Sequence, residues 1–484
     1  MTVTPIPLPV GLLIAGSRRD TASGGVCEHI NPATGKAQAE LPLAGATEID
    51  ESVAAARSAF GDWRRRDPAE RRRVLQRLMS LVVEHRDDFV ALSALECGIP
   101  IQVGQSIVQM GIDWGESAAT WADKLPGQVV PTAANIFDYT LAEPCGVVGV
   151  ILTWNGPAAS MGISVMPALG AGCCVVVKPS ELAPFSPLLF AQLALQAGVP
   201  SGVINVVPGD GSAGAALVAH PGVDKISFTG GITTARAISA SCSRTLTPLL
   251  LELGGKSANI VFEDADLTKA LKSAMGIIAL SGQGCIVPSR LMVQESIYDR
   301  FVEGVTNALA RVRVGDPFDP KSVMGPVISE QACTRILAFV QRANGEGSGK
   351  LLLGGDRLGG ELGEGYYLPP TVFGDVDNRS ELAQQEIFGP VLAILRFSDE
   401  DQAVAMANDT QYGLAAYVHT ANLSRAVRVS AALDVGNVGV NGGGAMGGPE
   451  APFGGVKLSG YGREGGKAAL AEFLRIKNVM VNLD

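Results

Sequence analysis

Leu251-Glu252-Leu253-Gly254-Gly255-Lys256, followed by Gly282-Gln283-Gly284-Cys285, is the stretch on which the reading of this chain turns. A carboxylate sits between two leucines and ahead of two glycines, and a cysteine preceded by glycines follows it 33 positions later (252 to 285). Such a pair supplies a nucleophile able to carry an acyl group as a thioester and a base able to turn water against it. Glycines beside Cys285 let the backbone approach a ligand closely. Apolar neighbours at 251 and 253 desolvate Glu252 and raise its pKa. Read alone, a single cysteine is as readily a packing residue, and a single glutamate an ordinary ion-paired one.

Outward from these segments the pattern alternates between strands and helices. Gly146–Ile151, Cys173–Val177, Val203–Val207 and Asp224–Phe228 read as buried strands before Leu253; Ala258–Phe262 and Arg290–Val293 follow it. Between them, 47–62 (Thr47 as N-cap), a helix opened by Pro68, one from Ser186-Pro187 to Gly198, and Leu267–Ala279 carry helical spacing. Gly98 and Pro100 are expected to end the first helical region. The alternation predicts an α/β protein with mostly parallel sheets. The glycine-rich segment Gly345–Gly365 reads as a surface loop, and Ile476–Val481 as a closing strand.

The chain has 484 residues, too many for one core, so two or more domains are expected. Its net charge of −10 argues against nucleic-acid binding, which needs a basic footprint. The arginines at 64–66 and 71–73 are interleaved with acids and read as a solvated helix face. Eight cysteines show no paired spacing and no histidine partner, so no metal site is expected, and their scatter suits a reducing, cytoplasmic setting. No basic segment precedes an apolar core at the N-terminus, so no signal peptide is expected. Cys145–Val177 lacks charged residues, yet Gly156-Pro157, Pro167 and Gly170 interrupt it, so it reads as strand, loop, helix and strand and not as a membrane span.

Further motifs stand in sequence order: Thr153-Trp154-Asn155-Gly156-Pro157, Lys178-Pro179-Ser180-Glu181 after an apolar strand, Phe228-Thr229-Gly230-Gly231 before a helix, Glu386-Ile387-Phe388-Gly389-Pro390, and Pro452–Lys457 with Ser459–Glu464. A strand end followed by a helix N-terminus suits a phosphate group. Taken singly, Asn155 before Gly-Pro reads as a turn residue, Phe228–Gly231 as a simple turn, Glu386 as a surface acid and Phe388 as a core aromatic.

From about Trp114 onward the chain resembles the aldehyde dehydrogenase superfamily, NAD(P)-dependent enzymes that oxidise aldehydes to acids. The resemblance implies a Rossmann-like NAD-binding domain (1–123 and 145–253), an α/β catalytic domain (254–469), and a small β oligomerisation region (124–144 and 470–484) that supports a homodimer or homotetramer. It implies Cys285 as nucleophile, Glu252 as base for deacylation and Asn155 as oxyanion donor. It also implies cofactor contacts from Thr153, Trp154, Lys178, Ser180, Glu181, Gly230, Gly231, Leu253, Glu386 and Phe388. Lys178 and Glu181 would reach the adenosine ribose, Glu386 the nicotinamide ribose, and Phe388 would pack near the nicotinamide. Glu181 would repel a 2′-phosphate, which favours NAD while leaving NADP open. Phe453 would border the substrate funnel, the rest of that signature shaping backbone.

Departures from the family pattern carry expectations too. Thr153 and Gly156 stand where relatives usually have proline and an aromatic, and Gly231 and Ala235 stand for serine and glycine. Gly156, Ser160 and Ile163 lie in stretches where many relatives carry larger groups, and Gly447 and Gly448 are small, which suggests a wide funnel and a bulky or aromatic aldehyde. Three other readings stay open. One is transfer of the acyl group to CoA, which the presence of Glu252 disfavours. Another is a cysteine hydrolase, for which none of the four histidines offers a motif. The last is a catalytically silent structural or binding protein.

Overall fold

The computed structural model describes residues 7–125 and 127–484. The first six residues, which open the expected first domain, and Pro126, in the expected oligomerisation region, lie outside the described residues. Val147–Ile151, Cys174–Lys178, Ile204–Val206, Lys225–Gly230 and Leu249–Leu253 form the parallel centre of an eight-stranded sheet. Val147–Ile151 and Cys174–Lys178 are buried along their whole length, as strands covered by helices on both faces must be. Antiparallel strands Leu12–Ile14 and Ser17–Arg19 finish one edge, and the two-residue strand Gly460–Tyr461 finishes the other. That last pairing sets Gly460 opposite Glu252, so the C-terminal signature closes over the proposed base.

A seven-stranded sheet forms the second layer system. Thr371–Gly374, Val391–Phe397, Arg290–Gln294, Ala258–Val261, Ala415–His419 and Asn437–Val440 run parallel, with Lys350–Leu353 antiparallel at the edge. The edge strand corrects the reading of Gly345–Gly365 as loop throughout. A small third sheet joins Leu474–Asn482 to Ile136–Pro144 in antiparallel register over nine positions, with Val129–Val130 beyond.

Local chemistry explains where the sequence reading drifted. The first long helix spans Ala46–Arg65 and is capped at Gly45, not Thr47, because the Glu48 carboxylate reaches back to the Gly45 N–H at 2.8 Å. The expected helix Leu267–Ala279 is α-helical only to Ala274, then tightens into a 3₁₀ turn from Met275 that breaks at Ala279, whose ψ is 129°. Arg71 is not on a solvated face: it is 3% exposed and its guanidinium donates to the Gly170 and Ala122 carbonyls at 3.1 and 3.2 Å. Pro100 does not end the helical region but opens a 21-residue helix, Ile101–Trp121, that the glycines at 104, 111 and 115 concealed.

Those glycines are close-approach positions. A Cβ on Gly111 would lie 2.8 Å from the Ala159 Cα, and one on Gly162 only 1.9 Å from the Gly111 carbonyl oxygen. The helix therefore lies backbone to backbone at Gly111 against Pro157–Ser160 and the π-helical turn Met161–Val165. Replacing Gly162 with alanine is expected to destabilise the fold by about 1–3 kcal/mol through overpacking, read as a lower midpoint in denaturant unfolding.

Candidate functional site

Three glycine-bearing segments interlock at the ends of the two large sheets. A Cβ on Gly255 would meet the Cys285 carbonyl oxygen at 2.6 Å, one on Gly254 the Glu386 Oε2 at 2.0 Å, and one on Gly282 the Gly389 carbonyl oxygen at 2.1 Å. Segments 252–256, 282–285 and 386–390 are thus in direct contact, although 134 positions separate their ends (252 to 386). Leu280 and Ser281 have φ of 51° and 55° and Gly282 has 73°, so the chain enters the cysteine through a left-handed stretch. Gln283 pins this turn: its Oε1 accepts from the Ile328 N–H at 3.0 Å and its Nε2 donates to the Leu280 carbonyl at 3.1 Å. Downstream, the Tyr417 hydroxyl donates to the Ile286 carbonyl at 2.9 Å.

Cys285 packs against an apolar cluster of Ile107, Met110, Trp114, Ala159, Ile163, Ile286, Leu414, Met446 and Phe453. Burial pushes its thiol up to about 12, and the carboxylates of Glu252, Glu386 and Glu464 push in the same direction. Glu252 is 4% exposed and neither carboxylate oxygen has a hydrogen-bond partner. Burial therefore lifts it well above the usual carboxylate range, with Glu464 and Glu472 adding to the shift and Arg463 opposing it. The Asn155 amide Nδ2 donates to the Gln283 carbonyl at 2.8 Å, and its Oδ1 accepts from the Thr153 hydroxyl at 2.6 Å. Asn155 is thereby anchored to the segment that carries Cys285, with a second amide hydrogen to spare.

The proposed cofactor residues gather along the C-terminal edge of the eight-stranded sheet. Lys178 ends its strand, is buried, and donates to the Gly209 carbonyl at 2.6 Å; burial lowers its pKa while Glu181 and Asp210 raise it. Ser180 donates to the Glu181 carboxylate at 3.4 Å and accepts from the Leu182 N–H at 3.2 Å. Gly230 ends the next strand, and Gly231 caps helix Ile232–Cys242 with no side chain satisfying the helix N–H groups and open space where a Cβ would be. A cradle of free N–H groups at a helix N-terminus fits a pyrophosphate. Leu253 is buried at its strand end. The Trp154 ring meets Phe388 edge-on, with centroids 5.4 Å apart, and Phe388 itself has a φ of 53°. Glu386 accepts from the Gly255 N–H at 3.0 Å, and burial raises it to about 7.

Two residues gain a place the sequence did not assign. Glu464, read only as part of a backbone-shaping signature, is 5% exposed, accepts from the Ser164 hydroxyl at 2.7 Å and is raised by burial to about 7. It bears on both Cys285 and Glu252. Lys256 is 2% exposed with an unpartnered ammonium; burial, with Arg290 adding, lowers it to about 7 while Glu386 opposes. Both stand in motifs legible in the sequence, but their burial is not, because it comes from strands and loops remote in the chain.

A buried thiol lies beside a desolvated, unpartnered carboxylate, and a helix N-terminus at the end of a parallel strand is left open. Residues 19–479 match the model of the aldehyde dehydrogenase family, and the chain belongs to that family. It is 42% identical over 471 residues to an aldehyde dehydrogenase of Enchytraeus buchholzi, covering 96% of this chain and 93% of that protein. Among solved structures it is similar to an aldehyde dehydrogenase from Bacillus cereus in its NAD⁺ complex (37% identity, 98% and 97% of the two chains, TM-score 0.94). It is also similar to a betaine aldehyde dehydrogenase from Staphylococcus aureus in complex with NAD⁺ (32% identity, 99% and 95%, TM-score 0.96). Among the described residues no helix is long and apolar enough to cross a membrane.

Proposed function

We propose that this chain oxidises a bulky or aromatic aldehyde to its carboxylic acid through covalent catalysis at Cys285, with NAD preferred over NADP. The observation that carries the reading is the unpartnered, buried Glu252 carboxylate bearing on the Cys285 thiol. The Cys285 thiolate adds to the aldehyde carbon, and the oxyanion so formed takes a hydrogen bond from the Asn155 amide. When bound, the nicotinamide supplies the acceptor for the hydride that leaves this carbon, and the carbon is left as a thioester on Cys285. Glu252 then takes a proton from water, whose oxygen attacks the thioester and releases the acid and the thiol. A base at this position favours water over CoA as the acyl acceptor.

Lys178, Ser180 and Glu181 are suited to the adenosine ribose, the carboxylate of Glu181 disfavouring a 2′-phosphate. Gly230 and Gly231 suit the pyrophosphate, Glu386 the second ribose, and Thr153, Trp154, Leu253 and Phe388 the nicotinamide. Residues 1–123 and 145–253 would form the NAD-binding domain, 254–469 the catalytic domain, and 124–144 with 470–484 the oligomerisation region. Phe137, Leu141, Val129, Ile476 and Met480 leave apolar side chains exposed on that small sheet, which supports a homodimer or homotetramer. Eight free thiols and a net charge of −10 suit the cytoplasm.

A wide funnel is supported at Gly156, where a Cβ would meet nothing nearer than Ile107 Cγ2 at 3.9 Å. NADH formation at 340 nm across aliphatic and aromatic aldehydes, with NAD and NADP, tests the reading. Gly156→Phe is expected to cut kcat/KM for aromatic aldehydes about ten-fold or more and to spare acetaldehyde. A wild-type preference for acetaldehyde would sink the bulky-substrate assignment.

A further inference from the structure

The helix Ile101–Trp121 presents two stripes. Ile107, Met110 and Trp114 join the apolar cluster around Cys285. Adjacent to them, Gln105, Ser106, Gln109 and Asp113 face a cavity of about 490 Å³ whose remaining wall is Arg86, Met110, Trp114 and Gly447-Gly448-Pro449. Met110 and Trp114 belong to both, so the cavity shares part of its wall with the apolar cluster that holds Cys285. Its wall thus combines apolar side chains with polar and charged ones.

The rim holds one cation without a counter-ion. The Arg86 guanidinium donates to the Gln105 backbone carbonyl at 3.3 Å and forms no ion pair among the described residues. Asp113 shares the rim, but its Oδ1 is engaged by the Gln109 amide at 2.7 Å. An arginine with free donors is matched by a carboxylate, which it can hold by two parallel hydrogen bonds.

We propose that the preferred aldehydes carry a carboxylate at the end remote from the aldehyde, joined to it by an apolar or aromatic body, and that Arg86 recognises that carboxylate. The body lies along Ile107, Met110 and Trp114 while the aldehyde carbon meets Cys285. This inference rests on the dehydrogenase reading and narrows its substrate class. Gly447 and Gly448 keep the passage to Arg86 free of side chains.

The test compares matched pairs: semialdehydes of straight-chain dicarboxylic acids of increasing length against methyl-terminated aldehydes of the same length, and 4-carboxybenzaldehyde against 4-methylbenzaldehyde. The wild type is expected to favour the carboxylate member of at least one pair by about ten-fold in kcat/KM, carried by KM and weakened by salt. Arg86→Ala should erase that preference and leave the neutral aldehyde unchanged, Arg86→Lys should keep part of it, and Asp113→Asn should enlarge it. Turnover of both members with equal efficiency at every length, or an equal loss for both in Arg86→Ala, overturns the inference alone. Absence of turnover with every aldehyde overturns the dehydrogenase reading and this inference with it.

Discussion

Replacing Cys285 with alanine is expected to lower aldehyde oxidation on the order of 10⁴-fold or more, because it removes the proposed carrier of the acyl group. The neighbouring thiols offer no rescue: Cys97 is buried with its sulfur donating to the Trp154 carbonyl at 2.9 Å, and Cys145, Cys173 and Cys174 lie in the other core. Alanine keeps the backbone that Gln283 and Tyr417 hold, so cofactor binding should survive. The check is steady-state NADH formation beside NAD titration by fluorescence. Undiminished turnover in the variant would remove Cys285 from the mechanism, and lost cofactor binding would show a structural effect instead.

The second large effect is expected at Glu252. Glutamine at this position should slow hydrolysis by about 10²–10⁴-fold while leaving the first turnover intact. A rapid burst of NADH followed by a slow steady state, with acyl-enzyme detectable by mass, is the anticipated signature. Loss of the burst together with the steady state would mean that Glu252 acts before the thioester and not on it.

The same groups fix the expected pH dependence. Burial raises both groups above their ordinary values, Cys285 to about 12. Their reactive forms, carboxylate and thiolate, become more populated as pH rises, and kcat/KM should climb from neutral toward alkaline pH. Glu464→Gln removes a carboxylate that raises both groups, so the profile of this variant should move to lower pH. An unmoved profile would show that the coupling has no kinetic weight.

Much of this architecture is written in local pattern. Charge-free apolar runs such as Val147–Ile151 make two-sided burial the favourable outcome, and parallel strands follow from the helices between them. The glycines at 254, 255, 282 and 389 and the order of the motifs that carry Cys285, Glu252 and Asn155 are likewise legible, because close approach demands glycine wherever it occurs. Helix Ile101–Trp121 was not legible, since its three interior glycines lower helix propensity and their reason lies on facing elements remote in the chain: Val90 for Gly104, Ala159 for Gly111 and Met79 for Gly115.

The electrostatic state of the site belongs to the tertiary structure alone. Glu252, Glu386 and Glu464 come from separate elements of two sheets and a C-terminal signature, and only their convergence desolvates each and sets them against one thiol. Arg71 and Arg86 look alike in sequence, yet one is sealed between helices against carbonyl oxygens and the other stands without a counter-ion at the mouth of a cavity. The chain encodes which residues are present and which segments form strands or helices through short-range sterics and periodicity. Burial, pKa and accessibility depend on which distant surfaces meet, so they are decided only when the sheets and helices pack.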